Sequence, residues 1–218
     1  MFINIHTHLP AAHHEWAVQN LYQHFEQVAV SGNYSIGLHP WYLNEETVIS
    51  DIEELKKWSV QPTVLAIGEC GLDKVCSTDF LLQKVIFLKQ VQWANELQKP
   101  LIIHCVKAHE DVLQLLSKHQ NKVPVIFHGF NKNKELALKI ISKGYYISFG
   151  KDLQHQRVRE LMASLSPENL FLETDDSETE IEKIYTLAAE ALQITEDSLS
   201  LQLQKNAAAV FGVAAIQL

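Results

Sequence analysis

Apolar residues in this chain follow two periods. Short apolar runs bounded by polar or turn residues fall at 2–6, 35–38, 64–68, 101–104, 124–128, 145–149 and 170–173, and read as buried strands. Between the later runs the spacing becomes helical. From Asp79 to Leu97 the residues Phe80, Leu81, Leu82, Val85, Ile86, Leu88, Val91, Trp93, Ala94 and Leu97 form a wide stripe; Ser77-Thr78-Asp79 offers N-cap oxygens and Pro100 follows the stop. The same logic predicts helices at about 46–58, 108–118, 132–142, 155–163, 179–191 and 196–210. Alternation of this kind favours a parallel sheet, and the count favours an α/β fold of the closed (β/α)8 TIM type. The region 9–34 is too short for helix, strand and helix, so Ala17–Tyr22 is expected to be a second strand reached by a loop, with one or both early helices reduced or lost. The total length, below the ~250 residues usual for such barrels, points the same way.

Five of these runs stop at or just before a residue able to hold a metal: His6, Glu69, His104, His128 and Asp175. Groups at the ends of several strands are how a barrel builds a site on one face. In His6-Thr7-His8 the period of two puts both rings on one side of the strand, where one cation can take both. Glu69 lies between glycines in Ile67-Gly68-Glu69-Cys70-Gly71, where it is expected to end a strand and to offer two oxygens to two cations; the alternative is a turn with a capping acid, a role that suits Asp73 better. A lone histidine after an apolar run is ordinarily a satisfied core or rim residue, but His104 and His128 occur in register. Asp175 stands among several acids, and a solvated loop is its alternative. Together four imidazoles and two carboxylates suit Zn, Mn or another borderline cation better than Ca.

The 218 residues show no linker, repeat or low-complexity stretch, so a single domain over 1–218 is expected, with 47% hydrophobic residues sufficient for one core. The first residues lack a secretory pattern and no run approaches the roughly 18 apolar residues of a membrane span; a cytoplasmic protein without membrane association is expected. Three cysteines are too few for a disulfide framework. Cys70 and Cys105 adjoin proposed ligands, and either sulfur ligation or simple packing accounts for them. A formal charge of −8 opposes nucleic-acid binding by phosphate neutralisation alone. Two divalent ions in a cleft supply a local field that an acidic protein otherwise lacks.

Taken in order, Ile3-Asn4-Ile5-His6-Thr7-His8-Leu9, Gly37-Leu38-His39-Pro40, Ile67-Gly68-Glu69-Cys70-Gly71-Leu72-Asp73, Gln83 with Phe87 and Gln90, Pro100-Leu101-Ile102-Ile103-His104, Phe127-His128-Gly129-Phe130, Leu172-Glu173-Thr174-Asp175 and Asn206-Ala207-Ala208-Ala209-Val210-Phe211-Gly212 resemble the TatD-related metal-dependent hydrolases, amidohydrolase-like barrels often described as deoxyribonucleases. The resemblance runs nearly end to end. It implies one metal held by His6, His8, Glu69 and Asp175, and a second held by the bridging Glu69 with His104 and His128. The departures flank these positions: Asn4 and Ile5 replace an Asp and a small residue, Val106 replaces an Arg, and Asp176-Ser177 replace a small residue and Pro. Loss of that Arg removes a two-pronged phosphate clamp, for which Lys107 offers charge without the geometry.

The expected chemistry is hydrolysis by a water activated between two divalent ions (Zn, Mn or Mg), with Asp175 and Glu69 as the catalytic carboxylates. Asp175 is expected to orient the nucleophile and shuttle its proton, although an Asp that also binds a cation has a lowered proton affinity. His39 and Lys107 are the candidate substrate contacts. The expected substrate is a phosphodiester, DNA ends or a small phosphoester, with Trp41, Tyr42 and Phe130 available for base stacking. Two alternatives share the ligands: the same site acting on a small amide, ester or phosphoester, and a non-catalytic metal-binding interaction protein.

Overall fold

The computed structural model describes residues 1–212. Eight strands run in sequence order in one sheet: β1 (Phe2–Thr7), β2 (Glu15–Leu21), β3 (Tyr34–Ile36), β4 (Val64–Asp73), β5 (Leu101–Val106), β6 (Val125–Phe127), β7 (Tyr146–Phe149) and β8 (Leu170–Leu172). Seven helices accompany them: α1 (Val48–Ser59), α2 (Phe80–Leu97), α3 (His109–Lys118), α4 (Lys134–Ile141), α5 (Gln156–Ala163), α6 (Ile181–Leu192) and α7 (Glu196–Phe211). This is the (β/α)8 TIM-type topology expected from the periodicity. The early helices are indeed lost: among the described residues no helix separates β1 from β2, and only a 3-10 turn at Phe25–Gln27 separates β2 from β3. No described helix is long and apolar enough to cross a membrane.

The chain divides into two compact units. The first comprises Met1–Gln19 and the chain from Ile126 onward. Here β1 pairs with β2 (Ile3 opposite Trp16), and β7 pairs with both β6 and β8. Its strands are buried on both faces, which is why they read as continuous apolar runs rather than alternating ones. Ile3, Ile5, Phe127, Phe149, Phe171 and Tyr185 are fully enclosed. Tyr185 from α6 is tied to β1, its hydroxyl accepting from Ile3 N (2.9 Å) and donating to Ile3 O (3.3 Å).

The second unit, Asn20–Val125, packs Phe25, Ile36, Leu38, Ile52, Leu55, Val64 and Ile86 into one cluster. Helix α2 starts where Asp79 accepts from Leu82 N (2.8 Å), as its sequence predicted. Its buried face is Gln83, Ile86, Phe87, Gln90, Val91 and Ala94, so two amides lie in an apolar stripe. Each satisfies the backbone of a residue in or just after a strand. Gln90 accepts from Leu38 N (2.8 Å) and donates to Leu38 O (3.1 Å), which is why the strand expected at 35–38 ends at Ile36: a side chain takes over the hydrogen bonds of Leu38. Gln83 does the same at Asp73 N and O.

The strand expected at 64–68 instead runs to Asp73, so Glu69 lies within β4 rather than at its end. Cys70, Gly71, Leu72 and Asp73 continue the ladder opposite Ile103, His104, Cys105 and Val106. Glycine makes this extension possible. At Gly71 (φ +150°) a Cβ atom would lie 1.9 Å from His104 O, and at Gly68 one would lie 2.5 Å from Ile102 O. No L side chain fits between backbones that close.

Candidate metal centre

In the first unit, β1 and the segment after β8 bring three donors together. His6, fully buried, and His8, one residue beyond the strand, direct their Nε2 atoms at Asp175 Oδ1, at 3.5 and 3.4 Å. The ring period of two expected for His6 and His8 is therefore realised. Backbone bonds from His8 N to Asp175 O and from Asp175 N to His6 O, both 3.0 Å, lock the aspartate to β1. Asp175 itself takes a left-handed conformation (φ +55°), uncommon for a residue with a Cβ and costing of order 1–3 kcal/mol. Burial pushes its carboxyl upward, but hydrogen bonds from His6 and His8 and the charges of His6 and His128 outweigh this and hold it well below the usual carboxylate range.

His128, after β6, has its ring centroid 4.4 Å from that of His6, tilted at 45° to it. Glu173 fixes it: Oε1 accepts from Gly129 N (2.7 Å) and lies 3.4 Å from His128 Nδ1. A carboxylate behind an imidazole sets its tautomer and orientation, leaving Nε2 as the ligand atom. The other oxygen, Glu173 Oε2, is buried without a hydrogen-bond partner.

Asn4, one of the departures noted in the sequence, has a structural task here. Its amide donates to Glu15 Oε2 and Thr174 Oγ1 (both 3.0 Å), while its carbonyl accepts from Thr174 N (3.1 Å). An ionised aspartate accepts only, so it lacks those two donors. At another departure, Asp176 is exposed and pairs with Lys151 (2.7 Å).

The second unit holds its own donors. Glu69 Oε1 lies 2.8 Å from His104 Nδ1 and 3.2 Å from His39 Nε2. Asn20 steadies Glu69, its Oδ1 accepting from Glu69 N (2.8 Å) and its amide reaching Oε2 (3.4 Å). On the far side of His104, Nε2 meets Asp73 Oδ2 at 3.2 Å, and the same oxygen accepts from the Trp41 indole (2.6 Å). Asp73 also accepts from Val75 N and Cys76 N through Oδ1, so it caps the turn after β4 and orients a histidine at once. Burial opposes its ionisation, but the bonds from Trp41, Val75 N and His104 prevail and lower its pKa.

His39, a candidate substrate contact from the sequence, is buried among the donors, with its Nδ1 accepting from Trp41 N (3.2 Å). Lys107 is exposed in a left-handed turn after β5 (φ +51°), and no described contact joins it to these donors. Trp41 and Tyr42 are about half exposed, whereas Phe130 is buried, as packing requires. Cys70 is buried against Ile67 O and Ile102 O, where loss of solvation pushes its thiol up.

Three donor groups follow, each with its ligand atoms within 4.8 Å of one another: His6, His8 and Asp175; His128, Glu173 and Asp175; His39, Glu69 and His104. No cysteine enters them among the described residues. Imidazoles mixed with carboxylates, together with an uncompensated buried oxygen at Glu173, fit a borderline divalent cation. Spatial neighbours that sequence reasoning left unassigned, namely Asn20 and Glu173, act through partners distant along the chain.

The family model of TatD-related DNases matches residues 3–212. The chain belongs to this family. Among its relatives, an uncharacterized metal-dependent hydrolase of Buchnera aphidicola is 31% identical over 146 residues, covering 65% of this chain and 54% of the relative. The protein of Shigella flexneri named 3'-5' ssDNA/RNA exonuclease TatD is 32% identical over 147 residues, covering 64% and 55%. The chain thus matches about half the length of these relatives. The crystal structure of the TatD homolog YJJV from Escherichia coli superposes with a TM-score of 0.82 at 19% identity, covering 97% of this chain and 98% of that one. A TatD-family hydrolase from Entamoeba histolytica gives 0.77 at 17% identity, covering 96% and 97%. Both support the fold.

Proposed function

We propose that this protein is a divalent-metal-dependent hydrolase of phosphodiesters, acting on the ends of single-stranded DNA or RNA. The observation that carries the reading is the set of donor groups at or just beyond the ends of β1, β6 and β8 and within β4 and β5, in a chain of the TatD-related family. By the family resemblance, one ion would be held by His6, His8, Glu69 and Asp175 and a second by Glu69, His104 and His128; His39 is a further donor beside Glu69. Bound there, divalent ions lower the pKa of water and neutralise charge growing on the attacked phosphorus. The relatives named as ssDNA/RNA exonucleases support the substrate class.

The chain's own residues supply positioning and proton handling. Asp175 and His8 are the donors that meet solvent, with side chains 29% and 24% exposed, so water enters on their side. Asp175 Oδ1, held ionised by its imidazoles, accepts a hydrogen bond from the attacking water and aims it; its low proton affinity makes it an orienting group and a transient proton carrier rather than a store. Glu173 and Asp73 hold His128 and His104 in fixed orientations, and Asn20 holds Glu69.

The test is hydrolysis of a fluorescent single-stranded oligonucleotide by metal-stripped protein reloaded with Mg, Mn or Zn, alongside a small ester panel and elemental analysis. Cleavage that needs metal, with a stoichiometry near two, is expected. Intact oligonucleotide under every metal while an ester turns over overturns the substrate, and a His128→Ala variant with full activity removes the second ion.

A further inference from the structure

Although the chain is acidic overall, residues 131–164 carry seven basic side chains against three acidic ones, and they include its only two arginines, Arg157 and Arg159. Part of this segment forms an open groove of about 830 Å³ between the start of α4 and α5, lined by Asn131, Lys132, Lys134, Arg157, Glu160 and Ser164 among others. Arg159 is committed to structure, donating to Leu153 O (2.7 Å) and Gln154 O (2.9 Å). Arg157 is not: it makes one bond, to Asn131 O (3.1 Å), which fixes the guanidinium beside the opposite wall and leaves most of its N–H donors for a ligand.

Cations outnumber acids along this groove: Lys132, Lys134 and Arg157 line it with one acid, Glu160. Glu160 accepts from Gln156 (2.7 Å), and Asp152 accepts from Asn131 (2.5 Å). Among the described residues no ion pair forms at Lys132, Lys134 or Arg157, all three are exposed, and Lys132 donates one bond, to Asn131 Oδ1 (2.5 Å). Three like charges around one groove repel one another, and an anion seated between them relieves that repulsion. The groove begins close to the metal centre along the chain. Asn131 and Lys132 follow His128 by three and four residues on the same loop, so Lys132 lies at most about 14 Å of extended chain from it.

We propose that this groove holds the sugar-phosphate backbone of a single-stranded nucleic acid, a few nucleotides away from the bond being cleaved. The inference rests on the phosphodiesterase reading above. A flexible strand suits it because the cations are separate points along an open groove, which a phosphate backbone can follow without a fixed shape. The subsite gives a protein of net negative charge a local means of gripping a polyanion.

The test compares the full-length, metal-loaded protein with a Lys132→Gln/Lys134→Gln variant and a Lys139→Gln/Lys143→Gln control from the same basic segment outside the groove. Binding of a fluorescein-labelled single-stranded oligothymidylate with cleavage-resistant phosphorothioate linkages is followed by anisotropy across a salt series. The groove variant is expected to bind about tenfold more weakly at low salt, and its log Kd against log salt slope to fall by about 1.4, two phosphate contacts on a single strand. The control keeps both. Hydrolysis of bis-p-nitrophenyl phosphate, too small to reach the groove, is expected to be the same in all three proteins. Absence of oligonucleotide binding by the unaltered protein, or equal affinity and slope in groove variant and control, overturns the inference. If binding depends on the groove but natural DNA and RNA strands stay uncut under every metal, the phosphodiesterase reading fails while the groove stands.

Discussion

Gly71→Ala isolates the close approach of β4 and β5 that carries Glu69 and His104. A Cβ at Gly71 would sit 1.9 Å from His104 O, where real contacts do not fall below 3.0 Å, so the strands must part by more than 1 Å. Gly144 provides the comparison: it too has positive φ (+76°), but a Cβ there meets nothing within 4 Å. Alanine at Gly144 therefore costs only the backbone penalty, about 1–2 kcal/mol. At Gly71 a similar penalty is joined by the loss of roughly two ladder hydrogen bonds at about 1 kcal/mol each and by loosened packing around Cys70 and Leu72, for a total near 4–6 kcal/mol. Against a typical stability of about 5–15 kcal/mol that removes much of the margin. Urea unfolding of both variants reads the difference, and elemental analysis of any folded Gly71→Ala protein reads the consequence for the donors, since His104 must move with its backbone. Equal unfolding midpoints for the two variants, or a folded Gly71→Ala protein with unchanged metal content, would refute the steric account.

Gln90→Met, which leaves Leu38 N and O without partners, is expected to cost about 2–5 kcal/mol in urea unfolding; a loss below about 0.5 kcal/mol would show that Leu38 finds other partners. Asp73→Asn turns its amide nitrogen either on the Trp41 indole and His104, which share one oxygen, or on the N–H groups of Val75 and Cys76, and is expected to weaken metal binding about 10–100-fold in competition with a chromophoric chelator, an outcome that unchanged affinity would exclude. Asp111 is bonded to Lys74 (2.6 Å) and Lys84 (2.9 Å); the Lys74 bond above all, against the opposing effect of burial and with help from Lys84, lowers its carboxyl pKa. Its stabilisation is therefore present above the ordinary Asp value near ~3.9 and is lost as pH falls through the lowered native value. For this partly exposed cluster the stabilisation is at most about 1 kcal/mol, so Asp111→Asn should be slightly less stable at neutral pH and indistinguishable in strong acid; a gap that widens on acidification contradicts the sign. Chelation should lower Tm by roughly 5–10 °C for each ion held at about a hundred times its Kd, and a thermal scan unmoved by chelator would count against resident metal.

The strand and helix pattern was legible in the sequence because it follows from local periodicity: a strand buried on both faces must be apolar throughout, and a helix against a sheet must repeat near 3.6. The pairing of His6 with His8 was equally legible, because side-chain direction alternates along any strand. Even the missing early helices were a matter of counting residues. What the sequence concealed depended on partners far along the chain. Glycines around Glu69 look like a turn locally and become strand only because β5 lies too close for a side chain. Gln83 and Gln90 look misplaced in an apolar stripe until the backbone groups they satisfy are seen. Glu173 behind His128, Asp73 behind His104 and Asn20 beside Glu69 are pairs separated by tens of residues, and no local rule marks them. Local sterics and periodic burial set the elements, whereas the orientation of each donor comes from long-range hydrogen bonds that exist only once the strands are side by side.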